Sequence, residues 1–271
     1  IRNPEDYFSC KEQAKLLLNN NPNKLKAGIA LEALEKVLEN EPEDIEANCL
    51  AIRALRLKGN YDDALSRAER LKSKFQNTAI IYEELGRIQL KLENYDEALK
   101  ILELGHEKFR GNERIMRALV LALMEFKKYH EALTICNILL EKNSKDTRAT
   151  DLKMDILFFL NQYDDVLDIG ERFYEDHPDE YHTVEFTSKN MVITFGIQLA
   201  IHYHKVANHY LNKDHLSLKS LVNKKSDKKQ MLITSNLNLK SKKLYERAIF
   251  HVDNTISDDS HFNWTIGLFR K

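Results

Sequence analysis

Apolar residues in the first two thirds of the chain fall into pairs of short stripes that are separated by polar joints. The clearest pair lies in residues 79–112, where the joint is Glu93-Asn94. Both stripes have helical spacing, and their members are Tyr82, Leu85, Gly86 and Gln89, then Tyr95, Ala98, Leu99, Leu102 and Gly105. The pattern predicts two helices joined by a polar turn.

The pair of stripes repeats along the chain with a fixed period. Four tyrosines lie 34 residues apart, and each is followed three residues later by a small or β-branched apolar residue: Tyr61, Tyr95, Tyr129 and Tyr163, with Ala64, Ala98, Ala132 and Val166. A fixed period of this length indicates a stack of similar two-helix units. With the small residue at position 20, the units begin at Lys11, Ile45, Ala79, Glu113 and Thr147.

Local signals agree with this register. Acidic residues open the second helix of each of the four later units, where they oppose the positive end of the helix dipole. Pro42 and Pro178 occupy the same column near the end of a unit, where a proline stops the second helix. Pro22 falls inside the expected first helix of the Lys11 unit. That helix is therefore predicted to begin earlier, near Pro4, with Asn3 as its cap.

These units resemble the tetratricopeptide repeat. Residues 79–112 match best, with Tyr82, Leu85, Gly86, Ala98 and Leu102 in the family's W, L, G, A and F columns. The other units keep the period but drift elsewhere. The resemblance implies an all-α, right-handed superhelical α-solenoid of 34-residue helix-turn-helix repeats. Residues 1–180 are expected to hold about five repeats, at 11–44, 45–78, 79–112, 113–146 and 147–180.

Residues 181–271 are expected to form a C-terminal helical extension or cap with a divergent sixth unit. That unit would place Ala200 at position 20 but lacks a polar joint. Two alternatives stay open for residues 184–212, a single long helix or a helical hairpin around Gly196, and the hairpin is preferred. Residues 242–253 resemble a second helix with Ala248 at position 20.

Charge divides the chain more sharply than its net value of −1 suggests. Residues 1–180 carry 35 acidic and 27 basic side chains, a net of −8, whereas residues 219–247 have a net of +7. Three interpretations of this basic segment are open. They are a solvated linker, docking onto an acidic partner or the chain's own acidic array, and nucleic-acid binding. The absence of aromatic residues interleaved with the lysines before Tyr245 counts against nucleic-acid binding.

Composition limits the remaining possibilities. No apolar run approaches the ~18 residues of a membrane-spanning helix, so no membrane association is expected. The three cysteines, Cys10, Cys49 and Cys136, have no metal-binding spacing and predict reduced thiols in a cytoplasmic protein. The sequence begins at Ile1 rather than at a methionine. This is compatible with a piece of a longer protein and leaves open whether a leader precedes it.

No catalytic, cofactor or metal motif is present. The chain has no phosphate-binding glycine loop and no G-x-S-x-G elbow. Four histidines crowd the tail (His202, His204, His209 and His215), but none forms an i, i+4 pair. Half-buried or surface histidines are expected there. We therefore expect a non-enzymatic protein without cofactor or metal.

The family resemblance implies where a ligand binds. In such proteins the first helix of each unit lines a concave groove through positions 2, 5, 9, 12 and 13. The resulting candidate site combines basic and apolar residues: Arg53, Arg87, Lys91, Arg114, Arg117, Arg148, Leu90, Met124, Phe158 and Phe159. Such a groove suits a peptide with acidic residues or a free C-terminus. The alternative is a self-satisfied ladder, in which Glu83, Glu125, Asp151 and Asp155 pair with these arginines.

A chaperone-type carboxylate clamp is not expected. Lys15 and Asn19 match its first two positions, but Leu50, Ile80 and Glu84 occupy the other three. The sequence therefore predicts a protein-interaction scaffold that binds a protein or peptide partner. The alternatives are a regulatory subunit of an enzyme complex and a nucleic-acid-associated protein acting through residues 219–247.

Overall fold

The computed structural model describes residues 4–19, 22–177, 184–186, 192–194, 199–210, 242–244, 246–248 and 250. Among the described residues up to Asp176, ten helices follow one another: α1 (Pro4–Asn19), α2 (Lys24–Leu38), α3 (Ile45–Lys58), α4 (Tyr61–Lys74), α5 (Ala79–Lys91), α6 (Tyr95–Lys108), α7 (Glu113–Glu125), α8 (Tyr129–Lys142), α9 (Thr147–Phe159) and α10 (Tyr163–Asp176). The all-α fold of helix-turn-helix repeats is confirmed.

Helix starts follow the 34-residue period. The first helices α3, α5, α7 and α9 begin at Ile45, Ala79, Glu113 and Thr147, and the second helices begin at the four recurrent tyrosines. The first unit deviates as its proline indicates: α1 begins at Pro4, and α2 begins at Lys24 after the cap Asn23. The predicted cap Asn3 lies outside the described residues.

The joints share one backbone geometry that the sequence pattern did not reveal. Position 15 of four units is left-handed, with φ of 97° at Gly59, 62° at Glu93, 57° at Lys127 and 62° at Asn161. In each case the following residue donates its N–H to a carbonyl five residues back at 2.9 Å, as for Asn94 and Gln89. This is the Schellman arrangement that ends a helix. The joint therefore requires a left-handed backbone at position 15, but it does not require a glycine there.

Small residues set the helix spacing within a unit. Ala64, Ala98, Ala132 and Val166 are all completely buried. A Cβ added to Gly86 would come under 3.0 Å from the side chain of Leu102, and one added to Gly105 would lie 3.0 Å from the Cβ of Tyr82. Small residues therefore allow the two helices of a unit to approach closely.

Residues 1–139 form one compact unit. Within it α1 contacts α3, α3 contacts α5 and α5 contacts α7, so the first helices make one continuous layer. The second helices α2, α4 and α6 pack against their sequence neighbours. The first-helix layer is therefore where side chains of successive repeats meet.

Residues 140–271 form a second compact unit. Its boundary with the first unit falls within α8, because packing rather than sequence period defines it. The domain boundary after residue 180 stays a prediction.

The expected sixth unit is wrong in its first half. Residues 184–212 are neither one long helix nor a helical hairpin, because Val184–Phe186 (β1) and Val192–Thr194 (β2) pair as antiparallel strands. Their register places Glu185 opposite Ile193. Residues 199–210 are helical and are called α11 here. Residues in this stretch favour strands, and this local preference prevails over the helices that the extrapolated 34-residue period predicts.

The prediction of a helix near the C-terminus agrees with the structure where residues are described. Residues 242–244, 246–248 and 250 are helical, and Ala248 is completely buried. Residues 251–253 lie outside the described part. Among the described residues, no helix is both long and apolar enough to cross a membrane.

Candidate interaction surface

Two buried glutamates on α5 organise the first-helix layer of residues 1–139. Glu84 is completely buried and accepts from Arg56 of α3, with 2.6 Å from Nε to Oε2 and 3.4 Å from Nη2 to Oε1. Burial disfavours both charges, but the partners' attraction outweighs it. The pKa of Glu84 is therefore lowered and the pKa of Arg56 is raised.

Glu83 serves two further arginines. It is 2 % exposed, and its Oε1 accepts from Arg87 Nε at 3.0 Å, one turn along α5. Arg114 Nε on α7 lies 2.9 Å from Oε2, although the angle there does not make a hydrogen bond. Burial lowers the pKa of Arg87 despite the nearby Glu83. Arg87 and Arg114, two of the predicted site residues, thus pair with an acidic groove residue, as the alternative of a self-satisfied ladder predicts.

Arg53 differs from its neighbours because it has no carboxylate at ion-pair distance among the described residues. Its Nη1 donates to Asn19 Oδ1 of α1 at 2.8 Å. Burial lowers its pKa to about 10, and the charges of Arg114 and Arg56 work in the same direction against the attraction of Glu84. A half-buried guanidinium in this setting is stabilised by any additional anion.

We call Arg53, Arg56, Arg87 and Arg114, with Glu83 and Glu84, the arginine cluster. It holds four guanidinium groups and two carboxylates, an excess of two positive charges. Three of the predicted site residues belong to it. Arg56, at position 12 of its repeat, stands in a groove column but is not one of the predicted site residues, and neither is Glu84.

A sequence signal for these contacts exists in the spacing of opposite charges. Lys15 and Glu46, like Glu83 and Arg114, are 31 residues apart, and each pair joins position 5 of one unit to position 2 of the next. Lys15 Nζ lies 2.6 Å from Glu46 Oε1. Opposite charges at this spacing therefore identify contacts between successive first helices.

The remaining predicted site residues within residues 1–139 lie on α5 and α7. Leu90 and Met124 are half-buried, and Lys91 is exposed at the end of α5. Arg117 pairs within α7, with 3.1 Å from its Nη2 to Glu113 Oε2. Cys49, in a groove column, is 4 % exposed, and burial raises the pKa of its thiol to about 12. All three cysteines are free thiols.

In the compact unit of residues 140–271, the predicted site residues lie on α9. Arg148 is exposed near its start, and Phe159 is 51 % exposed at its end. Phe158 stacks edge-on against Tyr163, with ring centroids 5.3 Å apart, and Tyr163 lies 4.0 Å from the His209 ring of α11. The apolar positions of α9 thus join an aromatic group that includes a residue of α11.

The acidic groove positions of α9 are paired with a histidine and a lysine of α11. His202 Nε2 lies 2.9 Å from Asp151 Oδ1, and Lys205 Nζ lies 2.6 Å from Asp155 Oδ1. His202 is 1 % exposed, so the expectation of half-buried or surface histidines is wrong for it, because α11 packs directly on α9. His204 and His209 are half-buried as expected, and His215 lies outside the described residues.

The end of the basic segment docks onto the chain's own acidic surface. Arg247 donates to both carboxylate oxygens of Glu171 on α10, at 2.8 and 2.5 Å, and Tyr203 donates to the same carboxylate. This contact raises the pKa of Arg247. Residues 219–241 lie outside the described part, so the prediction for the rest of the segment is not tested.

Family models match two overlapping parts of the chain. A tetratricopeptide repeat model matches residues 89–156, and the model described as anaphase-promoting complex, cyclosome, subunit 3 matches residues 23–104. The period, the joints and these matches agree. The chain is a tetratricopeptide repeat protein. Among curated protein sequences, none gives a significant match.

Solved structures of this family have the same fold. The thermophilic protein TTC0263 of Thermus thermophilus aligns with a TM-score of 0.58 and 14% identity, over 64% of this chain and 93% of that one. A tetratricopeptide repeat protein of Parabacteroides merdae aligns at 0.52 and 16%, over 98% of both chains. YrrB, described as having an unusual peptide-binding site, aligns at 0.52 and 17%, over 82% and 93%. The repeat fold is that of protein-interaction scaffolds in general.

Proposed function

We propose that this tetratricopeptide repeat protein is a non-catalytic scaffold that binds an acidic peptide segment of its partner on the first-helix surface of residues 1–139. The observation that carries the proposal is the unbalanced charge of the arginine cluster. Two buried carboxylates neutralise two of its four guanidinium groups, and within the described part of the chain Arg53 has only a neutral acceptor, Asn19.

A ligand carboxylate suits this position on energetic grounds. Arg53 is half-buried, and burial has already lowered its pKa to about 10, so part of its desolvation cost is present before any ligand arrives. An incoming carboxylate therefore gains a charge-assisted hydrogen bond at a partly dry site. Arg114, with a side chain 45 % exposed, supplies a second cation on α7, which α5 separates from the α3 helix of Arg53.

A peptide suits the surface better than a small anion. Leu90 on α5 and Met124 on α7 are half-buried in the same first-helix layer and offer apolar contacts to a peptide. Peptide recognition commonly combines a few charge anchors with such contacts. The peptide-binding site named for YrrB lends support from another protein of this fold.

The test is binding of fluorescent acidic peptides in two matched sets, with internal Asp or Glu and an amidated end, or with a free C-terminal carboxylate. The double variant Arg53→Ala with Arg114→Ala is expected to lose at least tenfold in affinity. These two arginines are chosen because neither removal leaves Glu84 without Arg56. Charge-assisted contacts of about 1.5–3 kcal/mol each set that expectation.

The matched control is Arg70→Ala, because Arg70 is an exposed arginine on the second helix α4. It removes one positive charge elsewhere and is expected to leave affinity nearly unchanged. Circular dichroism is the measurement that checks whether all variants fold equally. Equal binding by the double variant and the wild type would refute the first-helix site, whichever peptide set binds.

A second candidate function is a regulatory or structural subunit of a multi-protein assembly. It is favoured by the match of residues 23–104 to a model described as a subunit of the anaphase-promoting complex, cyclosome. Purification from the native host, followed by mass spectrometry, tests it. A stoichiometric set of partners supports the subunit role, whereas a purely monomeric chain opposes it.

The nucleic-acid alternative is less well supported. Arg247, at the end of the basic segment, is already bound to Glu171. Retention on immobilised DNA or RNA at ~50 mM salt, lost steeply as salt rises, would favour it.

The three free thiols are consistent with a proposed cytoplasmic location.

A further inference from the structure

Helices α9 and α11 bring together three metal-ligating side chains that are far apart in sequence. Asp151 and Asp155 lie one turn apart on α9, and His202 faces them from α11. One ligand atom from each residue lies within 4.8 Å of the other two. All three belong to the compact unit of residues 140–271.

The chemistry of this set suits a first-row divalent cation. Two carboxylate oxygens and one imidazole nitrogen are three ligands of the kind that Zn²⁺ and Co²⁺ accept, with coordination positions left for water. Metal–ligand bonds of about 2.1 Å place ligand atoms about 3.4 Å apart in a tetrahedron. His202 Nε2 and Asp151 Oδ1 are already 2.9 Å apart, so small side-chain rotations suffice.

Burial and charge favour the same conclusion. His202 is 1 % exposed, so packing holds its ring in place against the carboxylates. The side chains of Asp151 and Asp155 are 27 % and 28 % exposed, which leaves the oxygens open to solvent. Two like charges one turn apart destabilise a helix unless a cation lies between them.

Lys205 supplies part of that cation charge in the structure. Its Nζ lies 2.6 Å from Asp155 Oδ1, and its side chain is 38 % exposed. Half-exposed ion pairs are weak, so the ammonium group leaves for solvent at small cost. Lys205 thus competes with a metal ion for the Asp155 carboxylate. Removal of Lys205 therefore distinguishes a metal site from an ordinary ion-pair network.

We propose that Asp151, Asp155 and His202 bind a divalent transition-metal cation, which fastens α11 to the last regular repeat through ligands from both helices. Asp151 and Asp155 each give one carboxylate oxygen, and His202 gives Nε2. The site is independent of the peptide-binding surface proposed for residues 1–139.

The experiment is titration of the full chain with Zn²⁺, followed by calorimetry and thermal unfolding, and with Co²⁺, followed by its visible spectrum. One equivalent of Zn²⁺ is expected to bind, and Zn²⁺ at a hundredfold excess over Kd raises Tm by roughly 5 °C. Asp151→Asn and His202→Gln each weaken binding at least tenfold. Lys205→Met strengthens it several-fold, because the competing ammonium is gone.

The matched control is His204→Gln, because His204 lies on the same helix and contacts Asn208 rather than the carboxylates. It is expected to leave Zn²⁺ affinity unchanged. Absence of saturable Zn²⁺ binding, or binding that survives Asp151→Asn, would overturn the proposal. Weaker binding by Lys205→Met would do so as well. The Co²⁺ spectrum of the wild type gives a reading that does not depend on any variant folding.

Discussion

Position 9 of the first helices carries opposite charge in the two compact units. In residues 1–139, position 9 carries Arg53 and Arg87, and the buried acids beside them are outnumbered by arginines. In residues 140–271, positions 5 and 9 of α9 carry Asp151 and Asp155, which take His202 and Lys205 from α11. The repeat therefore fixes where a charge stands. Its neighbours decide whether that charge is open to a ligand.

The two units also differ in how deeply their ion pairs are buried, and this sets the largest expected effect. Glu84→Gln leaves the Arg56 charge buried without its partner and is expected to cost about 3–5 kcal/mol of unfolding free energy. Asp155→Asn breaks a half-exposed pair and is expected to cost about 0–1 kcal/mol. Urea unfolding with a chelator present measures both. Equal costs would contradict the contrast between the units.

The same pair predicts a pH dependence. Because Arg56 lowers the folded-state pKa of Glu84, its contribution is complete above the unfolded pKa of about 4.3 and is lost as pH falls through the folded value. The stability difference between wild type and Glu84→Gln is therefore expected to shrink below about pH 4. A difference that grows on acidification would show that the assigned charge state is wrong.

Helix spacing in the regular repeats gives the next effect. Gly86→Ala places a methyl group against buried Leu102 and is expected to cost about 1–3 kcal/mol. Gly28→Ala on α2 is the matched control, because nothing lies within 4 Å of the added Cβ, and it is expected to gain about 0.5–1 kcal/mol. Thermal unfolding checks both signs. A neutral Gly86→Ala would mean that the helices adjust freely.

The joints between helices allow a smaller effect of the opposite sign. Glu93 has a φ of 62°, a conformation that strains a residue with a Cβ, so Glu93→Gly is expected to stabilise by up to about 1 kcal/mol. Asn161→Gly, at the same repeat position in the compact unit of residues 140–271, is expected to gain less stability. Asparagine tolerates the left-handed backbone region better than glutamate does. The order of the two gains in urea unfolding tests whether the joint conformation is retained.

The smallest effect concerns the C-terminal contact. Glu171→Gln removes the charge that holds Arg247 and is expected to cost about 1 kcal/mol or less, since both side chains are partly exposed. Hydrogen exchange in residues 242–250 is expected to accelerate. Asp168→Gln, which breaks the exposed pair with Arg172, is the control and is expected to leave that exchange unchanged. Equal exchange in both variants would show that Glu171 does not hold this segment.

Most of the repeat register was predictable because it is local. Helix starts at the tyrosines, acids in the first turns and small residues at position 20 each act within one unit, so the sequence period reveals them. The period does not predict the pairing of β1 with β2, because the regular repeats do not continue past Pro178. Val184 and Ile193 are β-branched residues that favour strands, and this local preference is not part of the helical period.

The sequence by itself determined the family, the helix-turn-helix unit and the columns in which charged residues stand, because these depend on contacts at short and periodic spacing. Only the tertiary structure decided which charges meet. Arg53 faces neutral Asn19, Glu84 is buried against Arg56, and His202 reaches Asp151 across 51 residues. Burial and partner choice depend on how neighbouring helices pack, and the period does not contain that information.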